Sequence, residues 1–320
     1  MARRRGSKNP CCWEAKRRNY HKPNTIFVLE RKGILLAGGS GLRLFPATQG
    51  VNKHLLAVWD RPMIYHPLVS LILAGVKQVL VVSNPCDLPA MQRVLGDGRR
   101  WGLSLQYAPQ DRPRGLADGL LLAADFLAGA PCVLALGDNI FHGHGLPDLL
   151  RTAGKKADGA TVLATRTDRP QDFGVVRLNG DGVPVEIVEK PDTAISPWAV
   201  TGLYFYDSLA VARAAQLKPS ARGELEISDL NQEYLVQGEL QVVPLSQSVR
   251  WWDVGSANAL LDAGNFFRQQ EQKLGRKSLC PEEAAFRAGL IDAKQLKQSL
   301  HGLPAGSYRR HLELFTLNLP

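Results

Sequence analysis

The chain has no apolar run approaching the roughly eighteen residues that a membrane span needs, so no membrane partner is expected. It has no HExxH, no GxSxG and no Cys–His pair in a suitable context, which disfavours zinc-peptidase chemistry and hydrolysis through a covalent nucleophile. Its five cysteines (Cys11, Cys12, Cys86, Cys132 and Cys280) are odd in number, scattered and without a CxxC. Reduced thiols in a cytoplasmic protein are therefore expected, rather than disulfides or a zinc site. His142 and His144 flank Gly143 with no evident third ligand, which reads as a loop before it reads as a metal site. Charge is also scarce over most of the chain. The formal net charge is +9, but residues 1–31 hold nine Lys/Arg against Glu14 and Glu30, a surplus of seven, so the other 289 residues carry only +2. That basic stretch lacks the apolar core and cleavage site of a secretory signal and contains no nucleic-acid-binding module. It is expected to be a disordered, solvated arm with no specific nucleic-acid partner.

What the chain does contain is Lys32 to Pro46, KGILLAGGSGLRLFP. Ile34–Ala37 has the length of a buried strand and runs straight into Gly38, Gly39, Ser40 and Gly41. Glycines there let the backbone turn sharply and bring N–H groups near a ligand, and converging amides make an anion site. Arg43 and Lys53 follow as cations able to neutralise more than one phosphate charge. The Walker pattern is absent, and the dinucleotide fingerprint fails because Leu44 stands where its third glycine belongs. The stretch reads as a phosphate cradle at the carboxyl end of a first strand; an ordinary strand-to-helix turn is the plainer alternative.

Downstream, the pattern predicts a helix from Pro62 to Gly75, a strand at Val79–Val82 and a helix near Pro89–Leu95. A strand at Leu103–Tyr107, a helix over Gly115–Leu127 and a strand at Cys132–Leu136 follow, the last ending at Gly137-Asp138-Asn139. Helix Leu146–Thr152 and strand Ala160–Thr165 complete the alternation. Repeated strand–helix–strand units predict an α/β fold, a Rossmann-like mixed but mostly parallel sheet covered by helices on both faces. From Asp172 antiparallel ribbons are expected, then a long strand at Ala199–Tyr206. Beyond Asp253 the chain reads as helical: Ala257–Gln272, Pro281–Ala288 and Ala293–Leu300. The expected organisation is an arm over 1–31, an α/β domain over 32–255 and a helical C-terminal region over 256–320.

In such sheets ligands bind outside the carboxyl ends of the strands, where Gly38–Arg43 and Gly137–Asn139 both fall. Asp138 is well placed to hold Mg²⁺, and Asp253, in WWDVG, is a second acid in a stiff aromatic setting. A turn aspartate and a helix cap are the plainer readings of the two. Arg222, in PSARGELEISD, could grip a phosphate bidentately, and Glu224 could accept from sugar hydroxyls or simply favour a helix start.

Assembled in order, LAGGSGLRLFPAT, RPMIYHPL, PRGLA, LGDNIFHGHG, FGVV, EKP, AVTGLYFYD, PSARGELEISD and WDVG resemble the glucose-1-phosphate thymidylyltransferase family of sugar nucleotidyltransferases, from about Lys32 to the C-terminus. The resemblance implies the nucleotide-diphospho-sugar transferase fold and a Mg²⁺-dependent reaction of dTTP with α-D-glucose 1-phosphate, giving dTDP-glucose and pyrophosphate for deoxysugar synthesis of the dTDP-rhamnose type. It also implies a homotetramer, with the helical C-terminal region at the interfaces. Carried onto this sequence, Gly38, Gly39, Gly41 and Leu42 would cradle the nucleotide, and Arg43 and Lys53 would neutralise the triphosphate. Gln110 and Gly115 would read the thymine. Asp138 and Asp253 would hold the metal. Asn139, Gly174, Glu189, Val200 and Glu224 would line the sugar, and Lys190 and Arg222 would grip its phosphate. The chain departs from the family at Leu42 (usually Thr), His54 (Gln), Ala57 (Pro), Asp118-Gly119 (Gln-Ala), Val188 (Glu), Trp252 (Leu) and Val254 (Thr). Those departures leave two alternatives: a related pyrophosphorylase for another nucleotide or sugar phosphate, and a non-catalytic nucleotide-sugar-binding paralogue.

Overall fold

The computed structural model describes residues 30–39 and 41–319. The expectation for the basic arm falls almost wholly outside the described residues. Arg31, counted with that arm, belongs to the body: it is 5% exposed and its guanidinium donates to the carbonyls of Gly154 (3.2 Å), Lys156 and Tyr206.

The chain opens with β1 (Lys32–Leu36), β2 (Ala57–Val58), β3 (Arg61–Pro62), α1 (Tyr65–Leu73), β4 (Gln78–Ser83), α2 (Leu88–Leu95) and β5 (Ser104–Pro109). It continues through α3 (Asp118–Leu122), α4 (Ala124–Leu127), β6 (Cys132–Leu136), β7 (Asn139–Gly143), α5 (Leu146–Ala153) and β8 (Ala160–Arg166). Then come β9 (Gly174–Leu178), β10 (Pro184–Glu189), β11 (Trp198–Tyr206), α6 (Ala210–Ala214), α7 (Ile227–Val236), β12 (Leu240–Pro244) and β13 (Val249–Asp253). Four helices finish the chain: α8 (Ala257–Leu274), α9 (Pro281–Arg287), α10 (Ala293–Ser299) and α11 (Ser307–Leu317).

Nine strands form one mixed sheet. Its path is β10-β9-β11-β6-β1-β4-β5, and β8 joins β11 to β12. β6, β1, β4 and β5 are mutually parallel, whereas β11 runs antiparallel to β6, β8 and β9. Alternation along the buried strands separates two cores. Leu35, Val79, Val81, Val133 and Ala135 face the side covered by α1, α2, α5, α9 and α10. Ile34, Leu80, Val82, Cys132 and Leu134 face the side covered by α3, α4, α6 and α7. The sheet is thus buried on both faces.

Two helix expectations shift. Pro62 does not open α1; it pairs with Ala57 in a short ladder, where Met63 N–H donates to Leu56 O (2.9 Å) and Ile64 N–H to His54 O (2.9 Å). The helix begins only at Tyr65, with Pro67 in its first turn, where a missing N–H costs nothing. The helix expected over Gly115–Leu127 is two short ones, broken at Ala123, whose N–H is shared between the carbonyls of Gly119 and Leu120.

Candidate active site

The loop leaving β1 lies at the carboxyl edge, its start pinned by Ala37 N–H to Val82 O (2.7 Å). Gly39 (φ +102°) and Gly41 (φ +61°) adopt left-handed backbone that favours glycine. A Cβ on Gly41 would also stand 2.9 Å from Thr48 Cγ2. Lys53 opens a 3₁₀ turn capped by Asn52, whose Oδ1 accepts from His54 N–H (2.9 Å). The Asn52 amide donates to Ala37 O (3.2 Å) and Asp87 Oδ2 (2.8 Å), so it fastens the Lys53 turn to the end of β1.

Lys53 Nζ donates to Asp138 Oδ2, across the gap between β1 and β6. Asp253 arrives beside them through β13, which pairs antiparallel with β7 so that Asp253 stands opposite Asn139 and Val254 N–H donates to Asp138 O (2.9 Å). Burial pushes the Asp253 carboxyl up to about 6, the Asp138 charge adds to this, and Arg43, Lys53 and Lys190 partly offset both. Burial also raises Asp138, but Lys53, with the Asn139 amide donating at 3.0 Å, outweighs it and holds the group well below the usual range. Burial raises the phenol of Tyr204, and the charges of Glu189, Asp253 and Asp138 add to this.

Asp138 and Asp253 thus bring two carboxylates together at low solvent exposure, with Lys53 paired to Asp138 and the charges of Arg43 and Lys190 acting on Asp253. Among the described residues no three His, Cys, Asp or Glu side chains are arranged to hold a metal by themselves. The pair therefore fits a hard cation that takes one or two carboxylates and completes its shell with substrate phosphate and water, as Mg²⁺ does.

The strand ends β9 and β10 supply a second cluster. Glu189 Oε2 accepts from Ser228 Oγ (2.6 Å), and a Cβ on Gly174 would lie 2.8 Å from that hydroxyl and 3.2 Å from the carboxylate. Lys190 follows in left-handed backbone (φ +41°), a conformation costing a non-glycine residue about 1–3 kcal/mol, and its N–H donates to Phe173 O (3.0 Å). Arg222 is held in a fork by Glu226, Nε to Oε1 at 3.2 Å and Nη2 to Oε2 at 2.9 Å, with Glu189 Oε1 at 3.6 Å and Glu224 Oε2 at 3.9 Å. Val200 is buried at the irregularity where β11 shifts register.

Asn139 is engaged within the protein. Expected at the sugar, it is 2% exposed and its amide is already engaged: Oδ1 accepts from Gly202 N–H (3.0 Å) and Trp251 Nε1 (2.6 Å), and Nδ2 donates to Asp138. It holds the metal-ligand candidate and the β11 irregularity in place. Gly202 permits this approach, because a Cβ there would fall 2.5 Å from Asn139 Cγ.

At the opposite end of the edge, after β5, Gln110 Oε1 lies 3.0 Å from where a Cβ on Gly38 would stand, and Gln110 Nε2 donates to Asp118 Oδ2 (2.9 Å). Gly115 (φ +100°) is pressed against Leu225, whose backbone N–H donates to Arg114 O (2.7 Å). The Leu42 side chain is 75% exposed. Sequence reasoning missed Asn52, Ser228, Glu226 and Tyr204. The first three act by orienting another group, and only Glu226 carried a local signal, four residues after Arg222.

A glycine-rich loop, a carboxylate pair with cations beside it and a second cluster of Lys190 and Arg222 among Glu189, Glu224 and Glu226 suit transfer between two phosphates. The profile of the nucleotidyl transferase family matches residues 32–270. The chain belongs to the nucleotidyl transferase family. Relatives within it include the glucose-1-phosphate thymidylyltransferase of Xanthomonas campestris pv. campestris strain B100, 48% identical over 285 residues, which span 89% of this chain and 97% of that one. The enzyme of the same name from Mycobacterium tuberculosis strain H37Rv is 43% identical over 281 residues, 88% and 97% of the two chains. A crystal structure of a Bacillus anthracis protein in complex with sucrose superposes with TM-score 0.68 at 39% identity, covering 74% of this chain and 94% of that one. A UDP-glucose pyrophosphorylase complexed with UDP-glucose matches at TM-score 0.67 and 20% identity over 75% and 99%, a likeness of fold.

Proposed function

We propose that this chain is a glucose-1-phosphate thymidylyltransferase, joining dTTP and α-D-glucose 1-phosphate into dTDP-glucose and pyrophosphate. The observation that carries this reading is the meeting of Asp138 and Asp253 beside Arg43, Lys53 and Lys190 at one carboxyl edge, in a chain 42–48% identical to enzymes of that name. Gly38, Gly39, Gly41 and the Leu42 backbone cradle the triphosphate, and Arg43 and Lys53 neutralise it as charge builds on the leaving pyrophosphate. Lys190 and Arg222 hold the sugar phosphate so that one of its oxygens attacks the α-phosphorus in line. Gly174, Glu189, Val200 and Glu224 line the sugar, with Ser228 fixing Glu189. Gln110 and Gly115 meet the base. Magnesium bound at Asp138 and Asp253 would supply charge neutralisation at the phosphates.

The same reading assigns the chain to deoxysugar nucleotide synthesis of the dTDP-rhamnose type, feeding polysaccharides. It takes the enzyme to be a cytoplasmic homotetramer with a 32–255 catalytic domain and a 256–320 helical region. Free Cys86, Cys132 and Cys280 are in keeping with a reducing compartment, and no helix among the described residues is long and apolar enough to cross a membrane. The test is turnover with competing nucleoside triphosphates and sugar phosphates in one tube. The reading expects dTTP and glucose 1-phosphate to be consumed first; preferential use of another pair would overturn it.

A further inference from the structure

We propose that Asp118 is a positioning residue that fixes the Gln110 carboxamide with its oxygen turned toward the nucleotide base, so that the site selects a base with an N–H at ring position 3. The inference rests on the reading above, that a nucleoside triphosphate occupies the carboxyl edge. The topology sets its direction along that edge. Strand order is β6-β1-β4-β5, with Asp138 after β6 paired to Lys53 from the connection after β1, and Gln110 after β5. Phosphates at the first end put the base at the second.

Asp118 opens α3 and is 4% exposed. One carboxylate oxygen accepts from Gln110 Nε2 at 2.9 Å; the other faces Arg114 Nε at 3.4 Å. An ionised carboxylate only accepts, so the nitrogen end of the Gln110 amide must face it. The oxygen end then points away, over Gly38, where the missing Cβ leaves it room. The backbone beneath is fixed too, since Gln110 N–H donates to Ser83 O (2.8 Å). A free glutamine turns its amide over and offers donor or acceptor as the ligand requires. Here the reversed amide would set oxygen against carboxylate and forfeit a charge-assisted hydrogen bond. The side chain therefore presents an acceptor. A pyrimidine-2,4-dione carries an N–H at ring position 3 that meets it; cytosine carries a lone pair there, which repels it.

The experiment is calorimetric titration of the full-length protein with dUTP and dCTP, which differ only at ring positions 3 and 4. The wild type should prefer dUTP. Asp118→Asn keeps the shape but can donate as well as accept, so Gln110 turns freely. The preference should then fall by about tenfold or more, through weaker dUTP and stronger dCTP binding, with the melting temperature unchanged. Asp118→Ala, which removes the carboxylate and adds nothing, should give the same collapse if the isostere does not fold. An unchanged preference, or equal loss for both nucleotides, would overturn the assignment, as would a wild type that binds both alike. If the wild type transfers no nucleotide at all, the proposed reaction fails, yet the binding ratio still decides what Asp118 does.

Discussion

Gly255 follows β13 by two residues, and the Arg43 guanidinium lies directly on it. A Cβ at position 255 would stand 3.0 Å from Arg43 Cζ and closer still to a terminal nitrogen; no atom of any other residue is as near. Gly255 itself is outside the left-handed region, so alanine suits its backbone. The neighbour that must give way is the tip of a flexible side chain. Gly255→Ala should therefore change stability by no more than about 0.5 kcal/mol, while pushing Arg43 off the triphosphate. A hydrogen bond to a charged group is worth about 1.5–3 kcal/mol, which is roughly a 10- to 150-fold loss in kcat/KM for dTTP. Steady-state kinetics on Gly255→Ala, Arg43→Ala and the double variant decide the matter. Because the glycine acts through the arginine, the double variant should be no worse than Arg43→Ala alone. If Gly255→Ala keeps its full effect in the Arg43→Ala background, or has none in the wild type, the placement of Arg43 on the triphosphate is wrong.

Asp138→Ala and Asp253→Ala should each lower kcat/KM by about three orders of magnitude, since losing metal-based charge neutralisation is worth several kcal/mol; pyrophosphate release at saturating Mg²⁺ reads this. Ser228→Ala removes the 2.6 Å hydrogen bond to Glu189 and should raise KM for glucose 1-phosphate about tenfold while leaving KM for dTTP unchanged, which separates the two halves of the site. Glu283 offers a pH test away from the chemistry. Burial raises its carboxyl, but His311 (3.1 Å) and Arg287 (2.8 Å) outweigh burial and hold it below its ordinary 4.5. Its contribution is then complete above pH 4.5 and is lost as pH falls through the lowered value. The gap in melting temperature between wild type and Glu283→Gln should be open at pH 7 and closed in acid; a gap that widens in acid would contradict the sign.

Much of the sheet was legible because its central strands are short, continuous apolar runs. Cys132–Leu136 reads directly, and Val79–Val82 needed only one residue more at each end. The β7–β13 ribbon was not. Asn139–Gly143 mixes polar and apolar residues straight after a turn, and its partner lies over a hundred residues away, so no local period announces the pairing. That ribbon is what brings Asp253 to Asp138. The residues proposed for phosphate and metal could be picked out, since glycines, cations and carboxylates at strand ends have few other uses. Those that act at second hand could not. Asp118 read only as a departure from the family until its carboxylate was seen to accept from Gln110, and nothing local shows that the Asn139 amide is engaged with Gly202 and Trp251.

The most direct test of nucleotidyl transfer at this edge is one reaction with dTTP, glucose 1-phosphate and Mg²⁺, in which pyrophosphate and sugar nucleotide are quantified together. The account predicts equal amounts of pyrophosphate and dTDP-glucose, and neither when the sugar phosphate is left out. Folded protein that yields no product above background, or pyrophosphate released without the sugar phosphate, would contradict it.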